Sequence, residues 1–362
     1  TGLVVFVTRS RTGDRKEKNL PARKKAGKKT GLSELAGKIQ ARKGPLRLTG
    51  LRGASGARLA AELIRSQPDL PALILAPSAK RCDALMEDLR SCLGSELAQD
   101  RLFAFPRHDT LPYDRFSPQP FLITARVNVL HRWLEYGSGN GEGTGPAPIV
   151  VTDWTALSNR VPSRKTFARN THRVEVGQTL DRERWLQDIH RAGYQAMPLV
   201  EEKGEVAIRG GIVDFFPPHS EHPLRIEFFG DEVDSIREFD PASQRSLAKR
   251  EQATVIPARE IALHRSEVVA AEERLQALAE TGGADSEEVS ALMDGLLRGD
   301  LPPGIEAVGP ALLPGMEEVL DYLPPRSLII LDDPDAGLDR LSRYDEEAQA
   351  SHVAALDSGR VV

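Results

Sequence analysis

Cysteine is nearly absent. Cys82 and Cys92 stand alone in CDALMEDLRSCL, which reads as helix, so no disulfide framework is expected and both thiols read as small buried residues. No apolar run approaches the roughly 20 residues of a spanning helix. Leu3 to Val7 is too short for the apolar core of a signal peptide, which points to the cytoplasm and to no membrane. The eight histidines form no HExxH, CxxC does not occur, and no serine sits in a nucleophile elbow, so catalysis has no visible seat. His219 and His222 flank a proline-rich turn at a spacing that could hold a metal. With no cysteine or further histidine close in sequence, no metal site is expected there.

A length of 362 residues and 40% hydrophobic residues suit two or three soluble domains. Charge is uneven: residues 1–44 hold 13 Lys/Arg against three acids, a net of +10, while the whole chain carries −5 and the remainder therefore −15. The stretch RSRTGDRKEKNLPARKKAGKKTG has almost nothing to bury and reads as a disordered basic arm, able at most to touch DNA weakly and non-specifically by neutralising phosphates. The glycine-rich EYGSGNGEGTGPAP neither follows a strand nor opens a helix, so it reads as a flexible loop rather than a dinucleotide fingerprint.

Residues 45–165 alternate strand and helix, an α/β order. Strands are expected at Leu46 to Thr49, Ala72 to Ala76 and Ile149 to Thr152, with helices at Ala57 to Ser66 and from Ala79. GLRGASGA, Gly50 to Ala57, stands where a phosphate-binding loop belongs. The pattern GxxxxGK[ST] needs a glycine for close backbone approach, a lysine for phosphate oxygens and a hydroxyl for magnesium. Counted from Gly50, with Gly53 inside the loop, those positions hold Ser55, Gly56 and Ala57, so the loop is degenerate and nucleotide hydrolysis is not expected. LIIL, Leu328 to Leu331, reads as a buried strand ending in Asp332 and Asp333. That acidic pair would organise magnesium in a P-loop enzyme, but here it more simply ends a strand or caps the next helix.

The segment Gly204 to Arg245 carries the most information. In Leu224 to Phe229, alternation puts Leu224, Ile226 and Phe228 on one side and Arg225, Glu227 and Phe229 on the other. Gly230 and Asp231 supply a turn, and Glu232 to Phe239 reads as the return strand. A strand at His172 to Val176 and a helix at Asp181 to Ala192, with Thr179 as its cap, precede it. Two readings of the second face stay open: Phe beside arginines is typical of an interface, or Phe229 packs under the helix of Trp185 and the arginines only solvate the sheet.

These residues resemble the second domain of the bacterial transcription-repair coupling factors (Mfd), the part shared with the excision-repair protein UvrB and used by both to bind UvrA. IRGG, PLRIEFF and FFGDE carry the likeness, and DYLPPRSLIILDDPD and LPPGIEAVGPALLPG extend it to about residues 45–345. LPYDRFSPQPFLITARVNVLHRWL resembles the UvrB region that bears a strand-separating aromatic hairpin. Here Phe116 to Gln119 leaves no room for that insertion, so Tyr113 and Phe116 are expected to pack inside the lobe.

The resemblance implies a vestigial RecA-like (P-loop NTPase-like) parallel-sheet lobe with an inserted α+β UvrA-binding domain. The expected ranges are 1–44 for the arm, 45–165 for the first part of the lobe, 166–257 for the insert, and 258–362 for a return segment completing the lobe. The UvrA contact would fall on Arg209, Arg225 and Phe229, with Asp231 and Glu232 at its rim. The chain opens without Met and the family continues past its last residue, so it reads as a fragment, catalytically inactive and without cofactor. RNA polymerase, DNA, ATP and Mg2+ would be engaged by downstream domains of the parent translocase. The rival readings are a DNA-binding P-loop ATPase of the UvrB or helicase type and an adaptor for another partner.

Overall fold

The computed structural model describes residues 2–7, 31, 37, 39, 44–114, 116–137, 145–282 and 286–357. Residues 138–144 of the glycine-rich loop and nearly all of the basic arm lie outside the described residues. The chain divides into two compact units: Thr1–Phe105, Glu135–Thr155 and Leu323–Leu341 in the first, Pro106–Leu134, Ala156–Tyr322 and Ser342–Val362 in the second.

The first unit is α/β. Its strands are β1 (Gly2–Val7), β2 (Leu46–Thr49), β3 (Ala72–Ala76), β4 (Leu102–Phe105), β5 (Ile149–Asp153) and, late in the chain, β16 (Leu328–Asp332), in the order β2-β1-β16-β3-β5-β4. β16, β3, β5 and β4 run parallel, with Ile330 beside Ile74 and Ile74 beside Val151. Strands covered on both faces read as unbroken apolar runs, and ALILA in β3 is buried at every position. Helices α1 (Ser55–Ser66), α2 (Ala79–Leu93) and α3 (Ser95–Arg101) supply the covering stripes, Leu59, Leu63, Leu85 and Leu89 among them. The Ser78 hydroxyl starts α2 by accepting the Arg81 N–H at 3.3 Å.

β1 was not expected. Its residues fall within the range assigned to the arm, yet they form an antiparallel strand between β16 and β2, with Val5 beside both Ile330 and Leu46. Val5 is buried, so the apolar start of the chain is drawn into the sheet ahead of the basic stretch.

The second unit is built on a sheet ordered β13-β12-β11-β10-β9-β8, all antiparallel except β8 with β9. Before it come β6 (Arg160–Val161) and β7 (His172–Glu175); the sheet comprises β8 (Gln195–Ala196), β9 (Glu205–Arg209), β10 (Ile212–Phe215), β11 (Leu224–Phe229), β12 (Glu232–Phe239) and β13 (Ser246–Arg250). β14 (Gln252–Val255) pairs with β7, and β15 (Glu317–Glu318) with β6. The helices of this unit are α4 (Pro120–Gly137, which ends in the first unit), α5 (Arg164–Arg169), α6 (Arg182–Arg191), α7 (Arg265–Gly282) and α8 (Ser286–Arg298).

Helix α6 lays Trp185 and Ile189 on the inner sheet face, against Val213, Phe215, Ile226 and Ile236. Its cap is Asp181, whose carboxylate accepts the Arg184 N–H at 3.0 Å; the expected cap, Thr179, instead bridges to Glu232. The return segment also differs from expectation. Only Leu323–Leu341 of it groups with the first unit, because the apolar stripe of α7 (Val268, Ala271, Leu275) meets that of α8 (Val289, Met293, Leu296) in a core of their own.

Tyr113 and Phe116 do not pack inside the lobe. Both belong to the second unit, Phe116 is 75% exposed, and the partly exposed Tyr113 ring leans on His352 at 4.7 Å. The segment is anchored through a polar group instead, the Ser117 hydroxyl donating to Glu306 at 2.7 Å. Among the described residues no helix is long and apolar enough to cross a membrane, and no group of three metal-ligating side chains assembles. The His219 ring meets His131 edge-on at 4.8 Å.

Candidate functional site

Sheet alternation decides what the second unit shows to solvent. Leu224 and Ile226 are buried on the inner face, and Phe228 joins them, its ring 5.6 Å from that of Trp185. A bulge displaces the register between Glu227 and Phe228, opposite the stretch Val233 to Ser235, without reversing this sidedness. Phe229, one residue on, is 83% exposed. The reading in which Phe229 lies under the Trp185 helix therefore fails: Phe228 occupies that place.

The β11–β12 turn is two residues long, with Phe229 beside Glu232 and a positive φ of 63° at Gly230. A two-residue turn with left-handed backbone at its first central position follows the twist of the flanking strands. The turn is also tied to α6: the Asp231 carbonyl accepts the Leu180 N–H at 2.9 Å, and its carboxylate lies 3.5 Å from the Arg182 N–H at the helix start. Glu232 is exposed beside it. Arg182 reaches back over the Phe228 ring at 5.6 Å and donates to the Gly210 carbonyl, so α6 braces the β9–β10 turn as well.

Behind Phe229 the outer face carries two cross-strand rows. One runs Arg209, Ile212, Glu227, Ser235; the next runs Ala207, Asp214, Arg225, Arg237. Asp214 is buried and gathers both expected arginines. Arg225 grips it through two bonds, Nε to Oδ1 at 2.7 Å and Nη2 to Oδ2 at 2.9 Å, and Arg209 pairs with the same carboxylate. The Arg225 guanidinium also lies over the Phe239 ring at 4.7 Å, and its bond to Asp214 raises its pKa above an already high ordinary value. Arg237 and Ser235 both attend Glu227, at 3.7 and 3.0 Å. Sequence reasoning named the arginines and Phe229 and put Glu227 on their face, but missed Asp214 and Arg237 as their neighbours. The available signal was an acid at an outer-face position of IVDF, where an unpartnered carboxylate would not be buried.

The second candidate constellation does not come together. Gly50 and Gly53 take positive φ values of 86° and 55° between β2 and α1, but the Ser55 hydroxyl is taken up by the loop backbone, accepting the Arg52 N–H at 2.8 Å and donating to the Arg52 carbonyl at 2.7 Å. Gly56 and Ala57 are buried in the first turn of α1. Asp332 is held by Arg81 Nε at 2.6 Å, and the Asp333 carbonyl accepts the Gly337 N–H at 3.1 Å in the first turn of the helix Pro334–Asp357. β1 lies between β2 and β16. At roughly 4.8 Å per strand, the strand leading to the loop and the strand ending in the acids are about 10 Å apart.

Comparison with known proteins points to the second unit. A family profile described as the UvrB interaction domain matches residues 173–261, the stretch from β7 through all six strands of that unit's main sheet. The transcription-repair-coupling factor of Myxococcus xanthus is 34% identical over 318 residues, 86% of this chain and 26% of that protein. Those of Escherichia coli (28% over 79% of this chain, 24% of that protein) and Bacillus subtilis (26% over 87% of this chain, 26% of that protein) are similar too. The chain thus spans about a quarter of the length of these curated relatives. It is similar to the transcription-repair-coupling factors over most of its own length, and residues 173–261 match the UvrB interaction domain.

Proposed function

We propose that this chain is the UvrB-like, UvrA-recruiting part of a transcription-repair coupling factor, which brings nucleotide excision repair to stalled RNA polymerase. The observation that carries the reading is the outer face of β9–β12: two arginines held by one buried acid, with a bare Phe229 two residues beyond Glu227. Exposing that ring to water is unfavourable, and aromatic and arginine side chains are the usual centre of a protein interface. Its position within the UvrB interaction domain favours UvrA as the partner, with Asp231 and Glu232 at the rim.

The first unit is read as a RecA-like lobe that has lost its chemistry and into which the UvrA-binding domain is inserted. Gly56 and Ala57 stand where a lysine and a magnesium-binding hydroxyl are required, and Arg81 holds Asp332. Both observations favour a non-enzymatic role over the P-loop ATPase reading. Contacts with RNA polymerase and DNA, and ATP-driven translocation with Mg2+, are assigned to other parts of the full-length protein. Co-purification tests the reading: wild-type chain retains UvrA on an affinity resin and Arg225→Ala retains far less. Failure of the wild type to retain UvrA removes the proposal.

A further inference from the structure

We propose that Asp214 is the positioning residue of this face, setting the Arg209 and Arg225 guanidiniums to meet an acidic group of the partner beside the apolar socket that receives Phe229; this rests on the UvrA-binding reading. Asp214 sits on β10, directly across from Arg225 on β11 and diagonal to Arg209 on β9, so one carboxylate is reached from both flanking strands. It is fully buried, while Arg209 remains 43% exposed and Arg225 16%. A buried carboxylate holding two guanidiniums is itself fully used, so it offers a partner nothing directly.

What it offers is order. An arginine side chain on a sheet surface samples many rotamers, and fixing it on binding costs affinity. Here the cost is met in folding: the bidentate grip and the Phe239 ring leave Arg225 one orientation, and Arg209 is drawn alongside. Three guanidiniums (Arg209, Arg225, Arg237) face two carboxylates (Asp214, Glu227), so the patch keeps a positive excess while its parts are held. From Arg225 to Phe229 is four residues, roughly 13 Å of strand. The partner surface that fits therefore offers a carboxylate at about that distance from an apolar pocket.

The test is a titration of UvrA into the full 362-residue chain with Asp214→Asn, which keeps volume and loses charge, in the wild-type and Arg209→Ala/Arg225→Ala backgrounds. Asp214→Asn is expected to weaken binding about tenfold alone and less than twofold when both arginines are gone. Binding equal to wild type, or the same loss in both backgrounds, overturns the proposal. Should the variant unfold, or the wild type not bind UvrA, the NMR signal of Arg225 Nε–H in the free wild-type chain decides it. A persistent signal shifted from the free-arginine position upholds the ordering of Arg225 by Asp214, the part of the proposal that needs no partner, and a signal at the free-arginine position refutes it.

Discussion

Truncating Phe229 to alanine separates the interface from the core. The ring is 83% exposed, so the free protein loses little: surface changes of this kind shift stability by no more than about 0.5 kcal/mol. In a complex the same ring would bury an aromatic side chain's area, about 150 Å2 at the lower end, which at ~25 cal/mol per Å2 amounts to about 4 kcal/mol. Ordering and desolvation consume part of that on association, leaving about 2 kcal/mol, or roughly thirtyfold in affinity. The neighbouring Phe228→Ala is the contrast. Its ring packs on Trp185, so removal costs about 3 kcal/mol of stability. Calorimetric titration with UvrA and a thermal melt of each variant give both quantities. If Phe229→Ala binds within threefold of wild type, or melts as early as Phe228→Ala, the assignment of faces is wrong.

Three further outcomes follow from other parts of the molecule. Burial would raise the pKa of Glu260, but Arg126 at 3.0 Å and His108 at 2.7 Å outweigh it and hold the carboxyl down to about 2. Its contribution, on the order of 3 kcal/mol, is present above the ordinary carboxylate range and lost as pH falls from about 4.5 toward 2. Glu260→Gln, which strands the buried Arg126 charge, is expected to cost about 3–5 kcal/mol at pH 7 in urea unfolding and to flatten the acid limb; an unchanged limb refutes the pairing. Mg-ATP is expected to give no micromolar-range binding heat and no turnover, because the lysine and hydroxyl positions hold Gly56 and Ala57; either signal contradicts the inactive-lobe reading. Burial foremost, with Asp153, Asp83 and Asp332 adding, pushes the Cys82 thiol far up, so iodoacetamide at pH 8.5 should label Cys82 at least about tenfold faster in urea than in the fold; equal rates refute it.

Much of the second unit was legible because period-two alternation needs no partner to be read. LRIEFF sorts its own side chains, and the bulge after Glu227 falls where it leaves that sorting intact. Asp214 was illegible because its meaning depends on register: only when β10 lies between β9 and β11 does one acid stand between Arg209 and Arg225. The strand Gly2–Val7 was missed for a related reason. Six apolar-rich residues before a basic run have no local signature of pairing with a strand some three hundred residues later, and only the completed sheet supplies it. Of the phosphate-loop residues, Gly50 and Gly53 lie between strand and helix, but the helix begins at Ser55 and takes Ser55, Gly56 and Ala57 into its first turn, and the intrusion of β1 between the loop and Asp332 is again a matter of topology. Tyr113 and Phe116 show the limit of composition: two aromatics in a proline-rich turn read as core, but the anchoring was done by Ser117.

The central claim is that one sheet face of the second unit meets UvrA, and amide hydrogen exchange of the 362-residue chain with and without UvrA tests it most directly. Peptides spanning Ile208 to Ile212 and Glu227 to Glu232 are predicted to gain protection, with the first-unit helix Ser55–Ser66 unchanged. Protection confined to the first unit, or none anywhere under conditions where UvrA binds, would contradict the account.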